Sequence, residues 1–76
     1  MTIGTVLGSV RLQRAVPGAM EKRFVQVRCG GVLVTALDPV GVQPGELVLL
    51  TMGECAGRMC PEISVDAAVL GTLSEQ

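Results

Sequence analysis

Apolar side chains recur along this chain in five short runs, each separated from the next by glycine or proline. Runs of Val, Leu, Ile and Thr between such punctuators predict an all-β domain. The first strand is predicted over Ile3–Arg14, where Val6, Val10 and Leu12 share one parity with Gly4 and Gly8. Glycine inside a strand marks a bend or a close approach of two backbones. Pro17-Gly18 is a turn signal. Phe24–Cys29 alternates Val25 and Val27 with Gln26 and Arg28. Gly30-Gly31 then predicts a tight hairpin, two glycines supplying the positive φ of a primed turn. Val32–Leu37 is the return strand.

Asp38-Pro39 ends that strand, because proline donates nothing to a ladder. After the connection through Pro44 and Gly45, Leu47–Met52 is continuously apolar. It is predicted to be buried on both sides, in a core or a subunit contact. Gly53–Glu62 is irregular, with room for one short helical turn before Pro61. The last strand is predicted over Val65–Leu73, with Val65, Ala67, Val69 and Leu73 on one parity, although VDAAVL also has helical propensity. Five glycine-bent strands with short connections, and no repeats or linkers, predict one domain over residues 1–76. The expected architecture is a small five-stranded, OB-like β-barrel.

Composition adds an assembly argument. The chain has 76 residues, 49% hydrophobic and 17% charged. A domain of this size buries only about 60% of its unfolded surface, so so much apolar side chain predicts exposed patches of the kind that mark interfaces. Net charge is −1 and no basic stripe is present, which argues against nucleic acid and anionic membrane as partners. The one aromatic, Phe24, is expected in the core; it is no stacking platform for bases. No apolar run approaches the roughly 20 residues that span a bilayer. Three cysteines, an odd count, and an N-terminus without a basic region predict a cytosolic protein rather than a disulfide scaffold.

The chemistry of catalysis is largely missing. There is no histidine, hence neither the commonest general base nor the commonest transition-metal ligand. Ser9, Ser64 and Ser74 have no base to activate them, and no phosphate-binding glycine motif occurs. No enzyme activity and no cofactor are expected. Cys55 and Cys60 are spaced C-x4-C, but a structural zinc site wants four ligands. Small buried hydrophobes, a thiol-bound metal shared between subunits, and an exposed redox-sensitive thiol remain the readings of Cys29, Cys55 and Cys60.

Four segments together carry a family resemblance. IGTVLGSV, then ALDPVGVQPGELVLLTMG, then a loop containing AG, then ISVDAAVLGTL resemble, in order and spacing, the EutN/CcmL family of bacterial microcompartment vertex proteins. Asp38, Val40, Gly41, Gly45, Glu46, Val48 and Leu49 match its central segment, and Asp66, Ala68, Val69 and Gly71 its closing one. Gln43-Pro44 departs from the family's second small glycine position, and Glu54 and Cys55 replace its serines.

The resemblance implies a structural shell protein: an OB-like barrel that forms a homopentamer and caps the fivefold vertices of a shell whose facets are hexameric shell proteins. On that reading Asp38, Pro39, Gly41, Gly45 and Glu46 shape a turn and a subunit interface. Glu46 is expected to pair with an arginine of its own or a neighbouring subunit. The loop bearing Gly53, Glu54, Cys55, Ala56 and Arg58 is the candidate to line the fivefold axis, as a selective pore or as a packed plug. Arg11, Arg14, Lys22 and Arg23 are candidate contacts to hexamers. The alternative is a small oligomeric barrel that binds a ligand, a protein or a thiol-bound metal outside any shell.

Overall fold

The computed structural model describes residues 1–53 and 66–74. They contain five strands: β1 (Thr2–Val10), β2 (Phe24–Cys29), β3 (Val32–Leu37), β4 (Leu47–Met52) and β5 (Ala67–Leu73). The strands close into a barrel in the order β1-β2-β3-β5-β4. All neighbours are antiparallel except β3 and β5, which run parallel through the pair Leu37 and Ala68. Closure leaves no free sheet edge. Five strands enclose a narrow interior, so its lining is small and β-branched: Val6, Val25, Val27, Ala36, Val42, Val48, Leu50, Ala67 and Val69.

Strand ends follow partners. β1 stops at Val10 and not at Arg14, because Val10 pairs with Phe24, the first residue of β2, and nothing pairs beyond it. β5 begins at Ala67, opposite Met52 at the end of β4; Val65 lies outside the described residues. VDAAVL contributes strand, not helix, through Ala67–Leu70. In β4, Val48 and Leu50 are fully buried, while on the other parity Leu47 is exposed and Leu49 half-buried; past the register shift against β5 after Leu49, Thr51 is buried and Met52 exposed. Within the protomer the outward side of Leu47–Leu49 is therefore only partly covered. Phe24 is half-buried and stays outside the core, since Val25 and Val27 hold the inward parity of β2.

The two strand glycines of β1 do different work. A Cβ on Gly4 would lie 2.5 Å from Val27 Cγ1 and 2.8 Å from both the Arg28 carbonyl oxygen and Cys29 Sγ. Gly4 therefore lets β1 lie close against β2. At Gly8 a Cβ would meet nothing, but the β1–β2 register shifts between Val6 and Gly8, a bulge that increases the local bend. In the β2–β3 hairpin only Gly30 has positive φ, 62°, and Gly31 does not. A positive φ at the first central residue alone is the pattern of a type II′ turn.

Candidate functional site

Counting outward from the Gly30-Gly31 turn, the β2–β3 ladder pairs Cys29 with Val32 and Phe24 with Leu37. One step further the Asp38 N–H donates to the Arg23 carbonyl at 2.8 Å. The same register brings their side chains together: Arg23 Nε donates to Asp38 Oδ2 at 2.7 Å. Arg23 Nη2 also donates to the Val42 carbonyl at 2.7 Å.

The Asp38 side chain is fully covered, whereas that of Arg23 is 41% exposed. Asp38 Oδ1 accepts the N–H groups of Val40 at 3.1 Å and Gly41 at 2.9 Å, and Oδ2 also accepts that of Val42 at 2.9 Å. One carboxylate thus folds the chain from 38 to 42 about itself, with Gly41 at φ 90° completing the bend. The product is the Val42 side chain, 1% exposed, seated in the barrel core. Burial by itself raises the Asp38 pKa. Donation from Gly41, Arg23, Val42 and Val40 outweighs burial and holds the carboxyl below its ordinary 3.8.

The second half of the connection is a separate turn. The Glu46 N–H donates to the Gln43 carbonyl at 3.2 Å, with Pro44 and Gly45 between them and Gly45 at φ 91°. Proline followed by a positive-φ glycine is the chemistry of a type II turn. The Gln43 N–H donates to Glu46 Oε1 at 2.7 Å. Within the protomer Glu46 therefore closes its own turn, and Arg23, the arginine near this connection, pairs with Asp38 instead. Two further bonds fasten the turn to β1: Val6 N–H to the Glu46 carbonyl at 2.9 Å and Gly45 N–H to the Val6 carbonyl at 2.8 Å. Pro39 and Val40 are exposed beside it.

Of the candidate axis loop, Gly53 is described and Glu54, Cys55, Ala56 and Arg58 lie outside the described residues, as does the segment given a helical turn. The Gly53 N–H donates to the Asp66 carbonyl at 2.7 Å, which closes the base of that segment. Cys29 is a half-buried free thiol packed on the core. Among the described residues no three His, Cys, Asp or Glu side chains converge as a metal site, and no helix is long and apolar enough to cross a membrane.

The remaining feature is an outward apolar face. Ile3 pairs with Leu49, and Leu47 pairs with both Thr5 and Leu73, so Ile3, Leu47, Leu49 and Leu73 form one patch across β1, β4 and β5. Ile3 is 56% exposed. A second exposed apolar pair, Val32 and Leu33, sits beside the β2–β3 turn.

Residues 1–73, which span the whole barrel and its Asp38-to-Glu46 connection, match the family model for ethanolamine utilisation protein EutN/carboxysome. The chain belongs to the EutN/CcmL family. No match is found among curated protein sequences. Solved structures similar to it include CcmL of Gloeobacter violaceus, 27% identical, with a TM-score of 0.88 over 96% of this chain and 84% of that one. The pentameric shell protein MSM0273 from the RMM microcompartment is 28% identical, with a TM-score of 0.84 over 96% and 100%. EutN of Escherichia coli is 26% identical, with a TM-score of 0.82 over 100% and 87%. Sequence reasoning placed the carboxylate of this EutN/CcmL chain in a turn but missed Arg23 as its partner and Val42 as the residue it positions. The signal was available in the register of a two-residue hairpin.

Proposed function

We propose that this chain is a structural subunit of a bacterial microcompartment shell, in the bacterial cytoplasm, and that it assembles as a homopentamer at the fivefold vertices. The observation that carries the reading is membership of the EutN/CcmL family over residues 1–73, with solved relatives described as pentameric shell proteins. Catalysis has no part in it.

The surface supports a ring. A head-to-tail interface joins two different patches and closes when its rotation divides the circle. The barrel offers two such patches, Ile3-Leu47-Leu49-Leu73 and Val32-Leu33. Their burial between subunits accounts for apolar surface that a soluble monomer would leave wet. The connection of Asp38, Pro39, Gly41, Gly45 and Glu46 presents Val40 to the same kind of contact. In this reading Gly53, Glu54, Cys55, Ala56 and Arg58 belong to the loop at the fivefold axis, and hexameric shell proteins surround the ring.

Co-expression with a facet-forming hexameric shell protein tests the function. Electron microscopy should reveal closed polyhedral particles when this chain is present and open or unclosed ones when it is omitted. Equal closure in both would refute the vertex role.

A further inference from the structure

The strands of the barrel position a cleft that the proposed assembly does not explain. Where β1 ends, the chain from Arg11 to Arg23 loops away and returns to open β2. Ser9, Val10, Arg11, Leu12, Met20, Lys22 and Arg23 line a cavity of about 350 Å³ there. Three cations and three apolar side chains share one open concavity, and among the described residues no carboxylate lines it.

Asp38 pairs with Arg23, while the two other cations of the cleft, Arg11 and Lys22, have no carboxylate partner among the described residues. Asp38 is enclosed by its four donors, and Glu46 is engaged by the Gln43 N–H. Glu21 is exposed and does not line the cavity. Asp66 is exposed and does not line the cavity either.

Arg23 gives the cleft a fixed element. Its bonds from Nε and Nη2 to Asp38 and Val42 use two of the guanidinium's five donors. Donors remain on a group already held in place, so less rotamer entropy is lost when it binds a ligand. Arg11 and Lys22 add charge, and Val10, Leu12 and Met20 add apolar surface that a small inorganic anion would not use.

We propose that this cleft binds an acidic segment of another protein, one that carries a carboxylate beside an apolar side chain. The cleft itself is a feature of the protomer; only the identity of that protein as a neighbouring facet subunit rests on the shell reading.

The test is an amide chemical-shift titration of the full chain with the blocked peptide Ac-Asp-Leu-Glu-Leu-amide, alongside its Asn/Gln counterpart and inorganic phosphate. Saturable shifts at residues 9–12 and 20–23 are expected with the acidic peptide, with at least about tenfold weaker binding of the amide version and marked weakening by salt. Arg11→Glu combined with Lys22→Glu should weaken the acidic peptide at least about tenfold as well. The milder pair Arg11→Gln and Lys22→Gln serves if charge reversal disturbs folding. Native mass of the variants is expected to stay that of the parent, which separates loss of the cleft from loss of the ring. Equal binding of both peptides, shifts elsewhere, or phosphate saturating the same residues as tightly as the peptide would each overturn the proposal.

Discussion

Arg23 Nε lies 2.7 Å from Asp38 Oδ2, and the Asp38 carboxylate at the other end of that bond is buried while the arginine is partly in water. The asymmetry decides what each residue contributes. Asp38 satisfies the backbone N–H groups of Val40, Gly41 and Val42, and it seats Val42 in the core. Arg23 keeps much of its hydration if its partner is lost.

Removal of the two partners should therefore be unequal. Asp38→Ala strands the Val40, Gly41 and Val42 donors and should cost about 3 kcal/mol. Arg23→Ala leaves the carboxylate with its backbone donors and should cost about 1 kcal/mol, in keeping with the partial exposure of the arginine. Urea unfolding at one fixed protomer concentration measures both. Equal losses, or a larger loss at Arg23, would contradict this account of the connection.

The same site sets an acid limb. The folded carboxyl of Asp38 sits below 3.8, so protonation favours the unfolded chain. The contribution is complete above the unfolded pKa, begins to fall as pH drops towards it, and is lost as pH falls through the lower folded value. Thermal unfolding between about pH 5 and pH 2 should show this loss in the parent, and a shallower dependence in Asp38→Asn. Parallel curves for the two proteins would assign the acid limb to other groups.

Gly4 and Gly8 provide a matched pair. Gly4→Ala drives a methyl into Val27 Cγ1, the Arg28 carbonyl and Cys29 Sγ, and backbone cannot yield as a side-chain tip can. A cost of about 2 kcal/mol is expected. Gly8→Ala meets no atom and has no positive φ to violate, so it should change stability by no more than about 0.5 kcal/mol. Chemical denaturation of the two variants decides the point, and a similar loss at both would remove close approach as the reason for Gly4.

Much of this fold was legible because its punctuation is chemical. Pro17-Gly18 and Pro44-Gly45 both form turns with positive φ at glycine, 91° in each case, and Gly30-Gly31 fixes a two-residue hairpin. Those turns delimit β2, β3 and the start of β4 closely. Strand ends without such signals were harder: Arg11–Arg14 continues the alternation of β1 but lacks a partner strand, and pairing is non-local. Leu47–Met52 reads as buried throughout because hydrophobicity does not say which side faces a core and which faces solvent or a neighbour. At the connection, Asp38 is recognisable as a turn residue from local sequence. Its bond to Arg23 requires the hairpin register, and its service to Val42 requires knowing that the chain after Asp38 bends inward. Glu46 suggested an ion pair, but the closer donor is the Gln43 N–H of its own turn.

The apolar outer face yields the assembly prediction. Leu47 is exposed in the protomer and central to Ile3, Leu49 and Leu73. Leu47→Asp should leave the barrel folded by circular dichroism, and burying its carboxylate between subunits should cost about 2 kcal/mol or more per interface. Sedimentation at micromolar concentration should then show dissociation of the ring. An unchanged sedimentation coefficient would place the interface elsewhere on the barrel.

Native mass spectrometry of the purified protein, with and without reductant, tests the central claim most directly. A dominant species of five chains under both conditions is predicted, with no added mass. A monomer across the accessible concentration range would contradict the vertex function and leave the Ile3-Leu47-Leu49-Leu73 face to some other partner.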